Sequence, residues 1–361
     1  MNAPFNISTS FSVVLNIVRF LCSQGVVLGH LFIFFGIKNR FFEALPSFCV
    51  LMFFILSGFL ISHSLMQHAA RNENYSFGSY VRDRFFRIYP PFLAALVLVF
   101  IVDLVGFHFT SQYYSMKIYI GNFFINAAQL QEYPLATYIN EHYMIEFFRF
   151  HYFGTNLPLW TISIEWWLYI FFGFLFFLIL KKKPITLWNG LILLLLSITP
   201  VYYLFVGARM ERGLTLYWFL GMVISLQSAK QFQTKDWVFY ANCLLLLISM
   251  SGFLHFGYTG SALLFFLSLF LLARTTSSTV HVADFIRKLA GKLAGYSYSL
   301  YLVHYSLIYF IITVFEFEKG MVNFIVVFLI VNVIAFMFAE IFEKNSKKLK
   351  LIYENNRSGN H

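Results

Sequence analysis

Charged residues are scarce in this sequence. Asp, Glu, Lys and Arg together make up 12% of the 361 residues, whereas soluble domains have about a quarter. Hydrophobic residues make up 59%, and the mean hydropathy is +0.71. A chain of this composition has too little polar surface to cover itself in water. It is therefore not a soluble globular protein, and we expect a polytopic membrane protein.

Clustered cysteines and alternating strand patterns are also missing. Cys22, Cys49 and Cys243 stand singly in apolar runs, so the sequence indicates neither a disulfide framework nor a zinc site, and we expect no metal. The 48 Phe and 22 Tyr lie in long apolar runs rather than in alternating ten-residue segments, which favours helices over an outer-membrane barrel. The predicted fold class is an all-α helical bundle.

Apolar windows of roughly twenty residues predict ten membrane spans. They cover residues 11–36, 45–66, 88–106, 161–180, 185–206, 215–227, 237–254, 258–273, 296–315 and 321–342. The sixth and eighth are short enough to be re-entrant or tilted, and residues 118–130 are apolar enough to lie in the interface. We expect residues 1–361 to form one integral membrane domain with a retained first span and no appended soluble domain.

Basic residues predict the orientation of the spans. With both termini cytoplasmic, 18 of the 26 Lys and Arg fall on the inner side and 7 on the outer side, with Arg19 inside the first span. This asymmetry satisfies the positive-inside rule. The net charge of +10 is therefore interpreted as a topology signal rather than a nucleic-acid surface, and the basic tail after Lys344 as a solvated cytoplasmic end.

The first span carries two residues that lipid tolerates poorly. Arg19 and His30 are eleven residues apart, so a helix presents both on one face, about 16 Å apart along its axis. A charged residue inside a span costs roughly 2.5–3.5 kcal/mol on insertion scales, which points to a function. The pair predicts a polar passage through the bundle. The alternative is that Arg19 reaches the inner headgroups and His30 caps the outer end.

Two later motifs carry charge next to apolar helices. Arg84 and Arg87 are i,i+3 neighbours between the second and third spans. This spacing suits the phosphates of an anionic cytosolic ligand, unless the arginines only mark topology. Glu165 lies in the first turns of the fourth span, and the candidate partners for its carboxylate are His30 or a bound hydroxyl. A histidine oriented by a carboxylate is suited to general-base catalysis on an alcohol.

Four further residues are weaker candidates. His304 and Tyr301 lie in the polar start of the ninth span, Ser57 in a small-residue notch of the second, and Trp160 at the start of the fourth. Each also has a structural interpretation, as an interhelical hydrogen bond, a packing notch or a boundary aromatic. His304 ranks second to His30.

Taken together, these stretches resemble the acyltransferase-3 family of integral membrane acyltransferases over nearly the whole chain. Arg19 and His30 are similar to its Arg/Lys-x10-His motif, and Arg84 and Arg87 to its Arg-x-x-Arg. The other similar segments are Phe53 to Leu60, Trp160 through Glu165 with Tyr169, and Tyr298 through His304. Five motifs occur in the family's order. In one departure from the family pattern, Trp166 stands where the family often has a second acid, so no role for a second carboxylate is transferred.

The resemblance implies transfer of an acyl group, usually acetyl, from cytosolic acyl-CoA to a hydroxyl of an exported glycan. Arg84 and Arg87 would hold the CoA phosphates, and Arg19 would steer the donor into the bundle. His30 would act as general base or carry the acyl group itself, and Glu165 would orient His30 or position the acceptor. Acetyl-CoA is a donor substrate here, and no bound cofactor is expected.

The expected partners are membrane lipid, acyl-CoA and a glycan acceptor such as lipopolysaccharide O-antigen or exopolysaccharide, either lipid-linked or finished. The expected location is the inner (plasma) membrane, and no nucleic-acid partner is expected. Two alternatives stay open. A proton-coupled transporter would also carry intramembrane Arg, His and Glu, but it predicts inverted repeats and broken helices that the sequence lacks. An O-acyltransferase acting on a lipid, peptidoglycan or small-molecule acceptor is the other.

Overall fold

The computed structural model describes residues 7–110, 116–143, 152–180, 186–206, 213–228, 231–276 and 282–358. Apart from one pair of two-residue parallel strands, these residues form helices, which confirms the all-α fold class. The helices are α1 (Thr9–Phe34), α2 (Arg40–Arg71), α3 (Phe77–Thr110), α4 (Met116–Ala127), α5 (Pro134–Tyr143), α6 (Trp160–Leu180), α7 (Leu187–Phe205), α8 (Leu214–Gln227), α9 (Asp236–Ser251), α10 (Phe253–Arg274), α11 (Asp284–Gly295), α12 (Ser297–Val314), α13 (Met321–Phe338) and α14 (Lys344–Ser358). The strands are β1 (Phe232–Gln233) and β2 (Thr275–Thr276).

Eight helices among the described residues are long and apolar enough to cross a membrane. They correspond to eight of the ten predicted spans, whereas α8 and α9 are shorter apolar helices of 14 and 16 residues. The eighth predicted span, residues 258–273, agrees with the longer part of α10, because two helical segments meet within this element. A break at Gly257, with φ +71° and ψ 168°, falls just before the predicted start. A side chain at this position would be strained, which explains the glycine.

Large apolar side chains cover much of the outside of these helices. Leu187 and Trp188 in α7 and Val322 in α13 are about three-quarters exposed, at 77%, 74% and 75%. Many more apolar residues along α7, α9, α10 and α13 are exposed. An apolar exterior of this extent is what lipid contact requires and what a soluble protein avoids.

Two polar segments next to predicted spans are helical. Arg84 and Arg87 lie within α3, which begins at Phe77, whereas the predicted span begins at residue 88. The hydropathy window detected only the apolar part of this helix, although its amphipathic first turns are also helical. The basic tail is helical as well: α13 continues through a π-helical turn, Ala339–Glu343, into α14. Lys350 of α14 pairs with Asp83 of α3 at 3.0 Å.

The described chain divides into two compact units. The first contains α1 up to Gly29, together with α2, α8, α9, α10 and α11. Its helices α2 and α8 cross at two glycines: a Cβ at Gly58 would lie 1.8 Å from the carbonyl oxygen of Trp218, and one at Gly221 would lie 1.9 Å from that of Ile55. Small residues of this kind let helix backbones approach closely inside a membrane.

The second unit contains the end of α1 from His30, together with α3 to α6, most of α7, and α12 to α14. Within it, α3 packs against α6, α12 and α14. A non-helical stretch, residues 152–156, leads into a 3₁₀ turn, Leu157–Leu159, and then into α6. Phe153 in this stretch is fully buried against Tyr119 and Phe123 of α4, with ring centroids 4.7 and 5.5 Å away.

Seven of the Lys and Arg residues used to predict the orientation of the spans are not part of the described fold. The basic residues Arg149, Lys181, Lys182, Lys183, Arg209, Arg212 and Lys230 lie outside the described residues.

Candidate active site

His30 and His304 meet inside the second unit. His30 Nδ1 lies 3.0 Å from His304 Nε2, within hydrogen-bond distance. The two rings are nearly parallel, with centroids 5.2 Å apart, and Tyr305 packs edge-on against His30 at 5.0 Å. His30 is 7% exposed and His304 is fully buried. The candidate that ranked first in the sequence thus contacts the candidate that ranked second.

His304 is also held by its own helix. Its Nδ1 lies 3.1 Å from the carbonyl oxygen of Leu300 and 2.9 Å from that of Tyr301, one turn earlier in α12. A carbonyl oxygen can only accept a hydrogen bond, so the nitrogen that faces it must carry the hydrogen. This contact defines both the orientation of the ring and its protonated nitrogen.

Tyr301 connects α12 to the start of α6. Its hydroxyl lies 2.7 Å from Thr161 Oγ1 and donates to the carbonyl oxygen of Pro158 at 2.9 Å. Tyr301 and Thr161 are both buried. Trp160, the first residue of α6, is 3% exposed. Two of the weaker candidates, Tyr301 and Trp160, are therefore buried, and the ring centroid of Tyr301 lies 5.9 Å from that of His304.

Sequence reasoning missed a second polar cluster in this unit. Asp103 of α3 is 2% exposed and accepts hydrogen bonds from the Tyr119 hydroxyl at 2.7 Å and from the Thr155 hydroxyl at 2.6 Å. Thr155 Oγ1 also lies 2.9 Å from Ser306 Oγ. Asn156, fully buried, donates from Nδ2 to the carbonyl oxygen of Leu302 at 2.6 Å. A signal was present, because Asp103 is a carboxylate inside an apolar span.

Glu165 is half-buried in the second turn of α6. The Tyr169 hydroxyl, one turn further on, donates a hydrogen bond to its carboxylate. The Glu165 charge is close enough to act on the hydroxyls of Tyr298 and Tyr301 in α12. A role for Glu165 in orienting His30 stays a prediction, and the charge lies beside the α12 segment that carries His304.

The two arginines of α3 lie in different surroundings. Arg84 is buried, and its guanidinium carbon lies 5.7 Å from the ring centroid of Tyr80, whose hydroxyl donates to the carbonyl oxygen of Tyr169. Arg87 is exposed. It lines a cleft of about 150 Å³, and the lining residues are Asp83, Phe86, Arg87, Glu343, Ser346 and Lys350. Arg87 is thus placed to meet a ligand, whereas the buried Arg84 lies against Tyr80 of its own helix.

Two predicted site residues belong to the first unit. Arg19 is half-buried in α1, and Ser57 is half-buried in α2 beside the close-packed Gly58. The notch at Ser57 and Gly58 is therefore part of a helix-packing contact. Within the described ranges, no three His, Cys, Asp or Glu side chains are grouped so that they could hold a metal ion.

The fold and the buried polar residues define a polytopic helical membrane protein with an imidazole pair in its interior. The acyltransferase-3 family model, described as an acyltransferase domain, matches residues 13–340. The chain therefore belongs to the acyltransferase-3 family, as the resemblance of the motifs predicts, and is an acyltransferase that transfers groups other than aminoacyl groups. No curated protein and no solved structure matches the chain.

Proposed function

We propose that this acyltransferase transfers an acyl group, acetyl in the first instance, from cytosolic acyl-CoA to a hydroxyl of an exported surface glycan. Lipopolysaccharide O-antigen and exopolysaccharide, lipid-linked or finished, are the acceptors that the family resemblance favours. The enzyme would lie in the inner (plasma) membrane with both termini cytoplasmic, which agrees with the distribution of Lys and Arg along the sequence.

The observation that carries the proposal is the buried His30 of an acyltransferase, held by hydrogen bonding to His304 at 3.0 Å. In the proposed reaction, His30 takes the proton of the acceptor hydroxyl as that oxygen attacks the thioester carbonyl. The carbonyl C–S bond breaks, and the protonated His30 returns the proton to the leaving CoA sulfur. The products are an ester and free CoA, so atoms and charge balance.

Arg87 in the cleft beside α3 supports a cytosolic, anionic donor. It lines this cleft together with the carboxylate of Glu343 and with Lys350, whose ammonium group is paired with Asp83. Guanidinium and ammonium groups are the usual protein partners of phosphate, and CoA carries several phosphates. Arg84 would support this region by packing on Tyr80. The only support for the proposal that Arg19 steers the donor is the similarity of Arg19 and His30 to the family motif.

Mass spectrometry of surface polysaccharide, before and after mild alkali, tests the proposal. Cells that lack the chromosomal copy would carry the wild-type chain, His30→Ala or the control His255→Ala, which changes an exposed histidine of α10. We expect an alkali-labile, acetyl-sized mass with the wild type and the control and not with His30→Ala, at equal amounts of membrane-inserted protein. Normal acylation by His30→Ala would remove His30 from the mechanism, and an unmodified glycan with all chains would reject the glycan acceptor.

A further inference from the structure

The contacts of His304 define a direction for the hydrogen bonds that reach His30. His304 Nδ1 faces the carbonyl oxygens of Leu300 and Tyr301 at 3.1 and 2.9 Å, so Nδ1 carries the hydrogen. A neutral imidazole has only one N–H. His304 Nε2 therefore presents a lone pair to its neighbour in the bundle.

That lone pair determines the tautomer of His30. His30 Nδ1 lies 3.0 Å from His304 Nε2, and an acceptor on one side of this contact requires a donor on the other. His30 must then carry its hydrogen on Nδ1 and its lone pair on Nε2. The opposite arrangement would need a doubly protonated His304, which is a charge on a fully buried residue and is costly unless paired.

The position of His304 is itself fixed by the polypeptide around it. The carbonyl oxygen of Leu302 accepts from Asn156 at 2.6 Å, and the Tyr301 hydroxyl is held by Thr161 and Pro158. These contacts join the turn of α12 that carries His304 to the buried stretch before α6. The turn of α12 that orients His304 is consequently held by side-chain and backbone contacts with that stretch.

We propose that His304 is a positioning residue that holds His30 in the tautomer with its lone pair on Nε2. This inference rests on the proposed function, in which His30 is the general base. When His30 Nε2 takes the proton of the acceptor hydroxyl, His30 becomes positively charged and its Nδ1–H bond to His304 strengthens. His304 neither gains nor loses a proton. His304 orients His30 and fixes its tautomer, as the carboxylate does for the histidine of a Ser-His-Asp triad, but the acceptor that it supplies is neutral.

Two substitutions at one position separate this role from simple packing. His304→Leu introduces an apolar side chain of comparable bulk and removes the nitrogen that accepts from His30. His304→Gln keeps an amide oxygen that can accept from His30 Nδ1. His30→Ala and the exposed-site control His255→Leu complete the set, all as full-length chains in proteoliposomes and compared at equal amounts of monodisperse protein.

We expect His304→Leu to lower kcat by about a hundredfold or more, since loss of the orienting group of a triad has effects of this order or larger. Its KM for acyl-CoA should stay within about twofold of the wild-type value, because His304 does not contact the donor in the proposed reaction. His304→Gln should regain at least about tenfold of the lost kcat. His255→Leu should behave as the wild type.

Nitrogen-15 NMR of histidine-labelled protein reads the tautomer directly. In the wild type, we expect His30 to show a protonated Nδ1 and an unprotonated Nε2, and in His304→Leu a mixture of both tautomers. If the role of His304 were purely structural, its substitution would lower the folded yield. The His30 tautomer of the folded protein would then stay as in the wild type, and kcat would not fall selectively at constant KM.

The outcomes distinguish this proposal from the proposed function. An inactive His30→Ala with a fully active His304→Leu would reject the positioning role and leave His30 as the base. A fully active His30→Ala would reject the general base itself, and the positioning role with it. His304→Gln no better than His304→Leu, with the wild-type tautomer in both, would also overturn the inference.

Discussion

The hydroxyl of Thr155 donates a 2.6 Å hydrogen bond to Oδ1 of Asp103, and the backbone N–H of Thr155 donates to Oδ2 of the same carboxylate at 3.0 Å. Asp103 lies in a membrane-spanning helix, whereas Thr155 lies in the non-helical stretch that precedes α6. Backbone outside a helix is stable at membrane depth only if protein satisfies its polar groups. This carboxylate therefore anchors the stretch that leads to Asn156 and to Pro158. The carbonyl oxygen of Pro158 accepts the hydrogen bond from the Tyr301 hydroxyl.

Thr155→Val removes the hydroxyl donor and keeps the shape of the side chain. We expect it to lower the free energy of unfolding by about 1–3 kcal/mol, because a buried carboxylate oxygen loses its partner. Thr155→Ser keeps the hydroxyl and should lose much less. Thermal unfolding of detergent-purified protein measures both, and equal stability of the two variants would contradict the anchoring role.

Gly58→Ala should destabilise the first unit. A Cβ at this position would lie 1.8 Å from the carbonyl oxygen of Trp218, so α2 and α8 would have to separate. The matched control is Gly291→Ala in α11, where a Cβ meets nothing within 4 Å and alanine should stabilise the helix by roughly 0.5–1 kcal/mol. The expected result is opposite shifts of the unfolding temperature. A stabilised Gly58→Ala would show that the helices do not pack closely there.

Arg87→Gln should weaken use of the donor. Loss of one hydrogen bond to a charged group costs about 1.5–3 kcal/mol, which is about a ten- to hundredfold rise in KM for acyl-CoA. Arg82→Gln is the control, because Arg82 faces Glu354 and Tyr353 of α14 and does not line the cleft. Steady-state kinetics with varied acyl-CoA distinguish them. An unchanged KM in Arg87→Gln would leave this arginine as a topology signal.

Glu165→Gln should lower kcat by roughly tenfold or more and leave folded yield unchanged. Glutamine can still accept from the Tyr169 hydroxyl, but it removes the negative charge beside Tyr298 and Tyr301, and electrostatic groups at active sites have effects of this size or larger. Tyr169→Phe keeps the charge and should retain more activity. Initial rates at saturating donor test the order of the two variants, and a fully active Glu165→Gln would mean that only a hydrogen bond is needed.

The sequence was most informative about membrane insertion and about residues within single helices. Composition and hydropathy predict the eight long apolar helices, and the family motifs single out His30 and His304. What could not be predicted is that these two residues, separated by 274 positions, share a hydrogen bond. Such a contact depends on how α12 packs against the end of α1, and no local spacing encodes it.

The omissions have a common physical origin. Hydropathy windows respond to apolar side chains, so the predicted third span begins at residue 88 and leaves out the first turns of α3, which carry Arg84 and Arg87. The same preference for long apolar runs hides short polar stretches inside a bundle, such as Thr155 and Asn156. Asp103 was detectable as an isolated carboxylate in a span, but its partners come from distant parts of the chain.

The π-helical turn Ala339–Glu343 sets the angle at which the C-terminal helix α14 leaves the apolar helix α13. A π turn holds one residue more than an α turn, and each residue of an α-helix rotates the chain by about 100°. Deleting one residue from this turn would rotate every side chain of α14 by about that angle. Lys350 would turn away from Asp83, and one wall of the cleft beside Arg87 would present different residues. The extra residue thus determines the rotational phase between the apolar helix α13 and the helix that borders the cleft beside Arg87.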